Sequence, residues 1–397
     1  MRRLLPLLPV LVLIAGCGGS SGSSSSSTSS GPFAPTRWLT GAVADPSFAP
    51  WPGFARDARH SGAAAVVGPQ QGKIRWQRKL EGAAVPGPAV GKNDVVYAAS
   101  NGGVLHAIDL KTGHDIWSFD GGGSYGKDTS TTPALMSDGT ILWPGPDSTL
   151  FALSPSGHLL WKEGLSAQPL SPVVMKDGSI VVGDIKGELE DLVPHGTAEP
   201  SVGWMVELGD TSFGSPALGA DGTVYTTTEK ALVAVRGGHV LWQFPAKSPS
   251  EVSAAVAPDG TVVFGTNDSE YGVSPEGKEL WRHPNGTRTF SSPIVTHDGL
   301  AYYGDNKGFV TVLDAKTGEA VAKVGVEDPP GVWTAVAVDG HHDLYYGTAS
   351  GHIYGVDAAG HQLFALKVGG AVVSYPALAA DGTLLIGSED GTLYAVE

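Results

Sequence analysis

Cysteine is all but absent from this 397-residue chain. Cys17 is the sole one, so no intrachain disulfide framework and no cysteine-ligated zinc site can form. Basic residues are scarce too, with 25 Lys and Arg against 40 Asp and Glu, a formal net charge of −15. A surplus of that sign repels phosphates and argues against a nucleic-acid partner. The chain also lacks a glycine-rich phosphate loop opening a helix, a G-x-S-x-G elbow and an H-E-x-x-H helix. No long stretch keeps a helical period. What it has in excess is glycine (56) and proline (28), with 41% hydrophobic residues, a mixture that suits many short strands joined by tight turns.

The first segment, "MRRLLPLLPVLVLIAGC", has two arginines, an apolar run from Leu4 to Ala15 and then small residues before Cys17. Spanning a bilayer takes about 20 apolar residues, so this shorter run, broken by Pro6 and Pro9, has the form of a secretory signal. "LIAGC" resembles the bacterial lipobox, in which the cysteine becomes the N-terminus and carries the lipid. Residues 1–16 are therefore expected to be a signal peptide and Cys17 the lipidation site. Loss of Arg2 and Arg3 with that leader takes the net charge to about −17. Gly18, rather than aspartate, after the cysteine resembles outer-membrane sorting, which implies a lipid-anchored protein on the periplasmic face of the outer membrane if the source has two membranes. The "GGSSGSSSSSTSSG" that follows completes a tether over 17–31, flexible and with an r.m.s. reach of roughly 20 Å. Residues 32–71 are expected to be an extended lead-in, its first part packing on the domain surface, and 72–397 the folded domain.

A period appears when the chain is aligned on tryptophan. Trp76, Trp117, Trp161, Trp204, Trp242 and Trp281 are followed by Ala322 and Phe364 in the same slot, at steps of 41, 44, 43, 38, 39, 41 and 42 residues. That is the length of a four-stranded propeller blade. Each unit repeats a tryptophan segment and three others, such as "SPALG" (215–219), "TVYTT" (223–227) and "LVAVR" (232–236). Asp-Gly recurs at Asp138, Asp177, Asp221, Asp259, Asp298, Asp339 and Asp381 between the second and third pieces, where a type I′ hairpin turn is expected; the first unit has "KND" (92–94) instead. The last unit ends at "LYAVE" with three strands, and 72–79 supply a spare one. The expected fold is all-β, an eight-bladed propeller closed by that N-terminal strand, with seven blades as the alternative should the irregular unit around Asp191 not form.

Ala107, Asp109, Thr112, Gly113 and Trp117 fit A-x-D-x-x-T-G-x-x-x-W, which resembles the tryptophan-docking motif of quinoprotein propellers. In that arrangement the small residue admits the neighbouring blade, Thr-Gly turns the chain and the indole covers the blade interface, burying on the order of 150–250 Å². "DAKTGEAVA" (314–322) has Ala322 where tryptophan belongs, so that contact is expected to be the weakest in the ring unless Trp333 covers it.

Residues 51–397 resemble bacterial pyrroloquinoline-quinone-like β-propeller repeat proteins, and "WPGFARDARHSG" (51–62) looks like the lead-in W-P-x-F-x-x-D-x-x-x-x-G found before such repeats. Two families within that likeness imply different functions. Quinoprotein dehydrogenases hold the quinone and a calcium ion, several under a disulfide of adjacent cysteines; this chain has no second cysteine and no residues that match their calcium ligands. Outer-membrane β-barrel assembly lipoproteins are lipid-anchored propeller scaffolds without a cofactor, and leader, tether, repeat and blade count match that plan. The expectation is a non-catalytic, monomeric, membrane-anchored scaffold with a protein or peptide partner, no cofactor and no metal, possible work in outer-membrane protein assembly, and a quinone-dependent dehydrogenase or small-ligand-binding propeller as alternatives.

A partner surface is expected where the loops from outer to inner strands, and those between second and third strands, converge on the central channel. They supply Tyr125, Lys127, Asp128, Asp210, Phe213, Glu251, Arg288, Phe290, Trp333 and Tyr375, with Asp184, Lys186, Asp305 and Lys307. Mixed charge with aromatics suits a protein contact. His114, His158, His239 and His361 share one turn slot in different blades, too far apart to hold a common ion, and read as solvated turn residues, while "HHD" (341–343) falls in an expected hairpin turn.

Overall fold

The structure is a computed structural model that describes residues 49–83, 85–124, 131–286, 288 and 290–397. Eight four-stranded antiparallel sheets form the blades of one ring, so the seven-bladed alternative falls away. The innermost strands are two residues long, the outermost six to ten, because the ring narrows toward its axis. Crowding at the axis selects small side chains: Ala89, Ala134, Ala217, Ala255, Ala337 and Ala377 open six of the eight inner strands, all buried. The middle strands are sandwiched between neighbouring blades, so Val262–Gly265 is buried throughout. Outer strands such as Asp115–Asp120 alternate in exposure, since one side faces water.

The ring closes within one blade. Ile74–Lys79 pairs antiparallel with Thr392–Val396, supplying the fourth strand that the last unit lacks. Lys73 and Glu397 exchange backbone hydrogen bonds of 2.9 and 2.8 Å, and Arg75 bridges Glu397 at 2.9 Å and Asp381 at 2.8 Å. The irregular unit keeps its blade: Glu188–His195 and Ala198–Glu207 form a long hairpin, with Asp191 opposite Trp204.

The Asp-Gly turns differ from expectation. Only the glycine lies in the left-handed region, as at Gly139 (φ 94°), while the aspartate accepts the backbone N–H two residues on, Thr140 to Asp138 at 2.9 Å. Gly139 N–H bonds back to Met136 C=O at 3.0 Å. This is a type I turn with a glycine bulge, held by the aspartate carboxylate, rather than type I′. The two-residue positive-φ pattern occurs at Asn93 and Asp94, in the one turn without Asp-Gly. At Asp339-Gly340 the register is shifted, and His342 (φ 65°) takes the slot that glycine fills elsewhere.

Residues 51–66 do not merely precede the ring; they run across one end of it. Trp51 pairs with Val90, Pro52 accepts from Leu135, Ala58 from Leu218, Arg59 from Val256, His60 from Val295 and Gly62 from Val338, while Ala64 donates to Val338. This strap thus stitches the ends of six inner strands at the side of the Asp-Gly turns. The Asp57 carboxylate folds its middle, accepting Ser61 Oγ at 2.5 Å and the N–H of Ser61 and Arg59 at 3.2 and 3.1 Å. The W-P-x-F-x-x-D pattern therefore encodes a plug: Trp51 and Phe54 are buried and Asp57 holds the bend.

Candidate functional site

The opposite end of the channel is open. It holds a cavity of about 480 Å³ whose floor is Phe54 from the strap and Tyr375, their rings 4.5 Å apart edge to face. Above the floor, Phe213, Glu251, Phe290 and Trp333 reach the cavity from four successive outer-to-inner loops, and Tyr375 from a fifth blade. Each loop descends from an outer strand and dives to the axis, which aims its last side chains at the centre. Phe213 is the most open of them, 45% exposed. Phe290 and Trp333 pack at 5.3 Å, and the Trp333 Nε1 donates to Pro330 C=O at 3.0 Å. Arg288 gives two hydrogen bonds to Glu251, 2.7 and 2.6 Å, with its guanidinium 4.3 Å from the Phe290 ring centre.

Below the aromatics a ladder of hydroxyls runs part of the way round the channel, across five successive blades. The N–H groups of Thr132, Ser171, Ser215 and Ser253 donate to Ser171, Ser215, Ser253 and Ser292 Oγ at 2.9, 3.2, 2.9 and 3.1 Å. These residues share one slot at the start of the inner strands, where eight strand ends converge and the backbone amides need acceptors. Tyr375 fills that slot in the last blade, and its hydroxyl lies 3.5 Å from Ser292 Oγ.

Five of the expected face residues, Phe213, Glu251, Phe290, Trp333 and Tyr375, line the cavity, and Arg288 lies beside them. Asp210 turns away to Lys230 at 2.9 Å, a hydrogen bond that holds its carboxyl below the usual range. Tyr125, Lys127 and Asp128 lie outside the described residues, as do Cys17, the leader and the tether. Asp184 and Asp305 do not face the channel: each is buried and closes its own loop, Asp305 accepting the N–H of Lys307 and Phe309 at 2.9 and 3.0 Å and pairing with Lys323 at 3.0 Å. Lys186 donates its amine to Ser166 C=O. The position that reaches the cavity is the one after the first residue of that turn, Ile185 after Asp184 in the third blade and Glu389 after Ser388 in the eighth. Sequence reading missed Phe54, Gln168, Leu170, Ile185 and Glu389. Only Phe54 carried a signal, its fixed place in the lead-in pattern.

The repeated tryptophans lie elsewhere, between blades. Trp76, Trp117, Trp242 and Trp281 donate Nε1 to carbonyls of the next blade's turn, at Leu110, Pro155, Pro275 and Ala315, over 2.7–2.9 Å. A Cβ on the turn glycine would strike the ring, 2.7 Å away at Gly113 under Trp76 and 2.6 Å at Gly157 under Trp117. Asp109 Oδ1 accepts the N–H and hydroxyl of Thr112 in that turn, and Ala107 lies opposite Trp117 in register. Trp161 is buried, Trp204 meets Gly238 and Phe364 covers Gly72. At the slot of Ala322 the cover over Gly360 is Val324; Trp333 is at the cavity instead. His342 is buried, its Nδ1 3.2 Å from the Tyr302 hydroxyl and its Nε2 3.6 Å from Asp298, because the shifted turn tucks it against the hairpin of the preceding blade.

Comparison with known proteins bears on this geometry. The family model described as outer membrane protein assembly factor BamB matches residues 58–193 and 195–397. The chain belongs to that family. BamB of Burkholderia pseudomallei is 24% identical over 334 residues, covering 77% of this chain and 82% of its own. The crystal structure of BamB from Moraxella catarrhalis is similar with a TM-score of 0.60 at 14% identity, over 82% of this chain and 99% of that one. The quinohemoprotein alcohol dehydrogenase of Comamonas testosteroni is similar with a TM-score of 0.67 at 15% identity, over 87% and 80%. Such structural likeness shows the fold alone, and that fold carries an assembly factor in one protein and a dehydrogenase in the other. The BamB match begins at Ala58, so the second half of the strap lies within it.

Proposed function

We propose that the chain is a non-catalytic scaffold in outer-membrane protein assembly, anchored outside the cytoplasm through lipid on Cys17 and holding a protein partner at the open end of its channel. Membership of the BamB family supports the assembly role. The observation that carries the choice of face is the convergence of aromatic side chains from several blades on one open end, while the strap occupies the other. Aromatic and arginine anchors around a central hollow are the usual energetic core of a protein contact.

The quinone-dependent alternative does not fit these residues. Calcium asks for six to eight oxygen ligands, several of them carboxylates. Among the described residues no three Asp, Glu, His or Cys groups gather as metal ligands. Glu251 is paired with Arg288, and Glu389 lines the cavity with no ion pair among the described residues, so the carboxylates of a quinone cofactor would meet like charge there.

The test is recovery of partners with intact, membrane-anchored protein carrying single alanine substitutions. Arg288→Ala, Phe290→Ala, Trp333→Ala and Tyr375→Ala are expected to lower recovery, each costing about 2 kcal/mol or more of affinity at an anchor position. His158→Ala and His239→Ala, on the turn face, are expected to leave it unchanged. Loss with the histidine variants and retention with the other four would reverse the face.

A further inference from the structure

The cavity has a chemistry more selective than a general docking face requires. One side of it is aromatic: Phe290 packs on Trp333, whose Nε1 is already engaged by Pro330, so the indole offers its π face. The same cavity is lined by two carboxylates, Glu251 and Glu389. One of these shows what the surface does with a cation. Arg288 is held by both oxygens of Glu251 while its guanidinium lies over Phe290 at 4.3 Å, so charge pairing and a ring face act on one group.

Glu389 has no such companion. It forms no ion pair among the described residues, and its loop is fixed by its own N–H bonding to Ala371 C=O at 2.8 Å. The cavity thus carries one carboxylate more than its resident arginine neutralises, inside a protein of net charge −15. An anion would meet that carboxylate, and a purely apolar group would strip its water without replacing it. A cation on an apolar stem satisfies the carboxylate and the rings together, and the acidic protein draws it in. The volume, about 480 Å³, has room for one long side chain and part of its neighbours.

We propose that the cavity takes the guanidinium or ammonium of an arginine or lysine side chain on the partner protein, seated against Trp333 with Glu389 as counter-charge. This rests on the docking role proposed for the same face.

Calorimetric titration of the full-length protein with tetra-arginine amide and with tetra-citrulline amide tests it, since citrulline keeps the shape and lacks the charge. The arginine peptide is expected to bind at least about fivefold more tightly than the citrulline one. Glu389→Gln and Trp333→Leu are each expected to weaken it by about fivefold or more, with unchanged melting temperature as the check on folding. Glu276→Gln, on the opposite turn face, is expected to leave it as it was. Equal binding of the two peptides, or equal loss in Glu389→Gln and Glu276→Gln, would overturn the proposal by showing only diffuse attraction. Should the arginine peptide fail while Trp333→Ala still loses the partner, the cation site is wrong and the docking face stands. Should the peptide bind as expected while partner recovery ignores this face, the docking role fails instead.

Discussion

His60 shows how one residue of the strap sets a limit on the fold. It is fully buried, its Nδ1 donating to Ala254 C=O at 2.6 Å, and burial pushes its pKa down to about 4. A depressed folded pKa means stability is present above the unfolded value near 6.5 and is lost as pH falls toward 4, an effect of about 3 kcal/mol. Glu270 sets the opposite limit. It is fully buried with Oε2 unpartnered, which raises its pKa well above the carboxylate range, so stability is present below about 4.5 and is lost as pH rises through the folded value. Denaturant melts of His60→Gln from pH 7 to 4 should show a flatter acid limb than wild type, and Glu270→Gln should gain stability at pH 8 by about 1–3 kcal/mol. A wild-type acid limb in the first, or no gain in the second, would mean that these burials are not what the titrations report. Neither group was legible in the sequence, because burial of a polar residue depends on which strands cover it. The tryptophans were legible, since their spacing repeats; Trp161→Ala is expected to cost about 3–5 kcal/mol in chemical denaturation, as a buried indole leaves a void.

At the scale of elements, strands were read from the sequence and connections were not. Alternation and length identify a strand locally, whereas the Asp-Gly turns look alike whether the aspartate takes positive φ or caps the turn with its carboxylate. The turn at Asp339 shows the hazard, since a shift of register moved the left-handed residue to His342 without changing the dipeptide. In the loops at the open end, choosing the charged positions picked Asp184 and Asp305, which fold their own turns, over the neighbouring Ile185 slot that reaches the cavity. The strap was visible as a motif but its path was not, because its partners are backbone groups of six blades spread over the chain. Deleting residues 1–70 removes the strap and leaves the closing strand; deleting 1–80 removes both. Thermal unfolding should rank full-length protein above the first and the first above the second. Equal melting of full-length protein and the first deletion would mean the strap adds nothing to ring stability.

For the whole molecule, the two ends of the channel are unlike. Strap hydrogen bonds run across one, and at the other the loops leave a funnel with an aromatic floor and a carboxylate at its wall. The repeat that builds the ring accounts for most of the sequence, and three departures from it stand at the funnel: Tyr375 where most blades have serine or threonine, Glu389 in a loop slot and Trp333 outside the tryptophan slot. The function of a repeat protein is written in such departures, since the repeat itself specifies only architecture. Placing a photo-crosslinking residue at position 333 and, separately, at position 239 in the living source cell measures the choice of face directly. Position 333 is expected to trap a discrete protein adduct and position 239 none; a discrete adduct at 239 with none at 333 would contradict the assignment of the funnel as the working face.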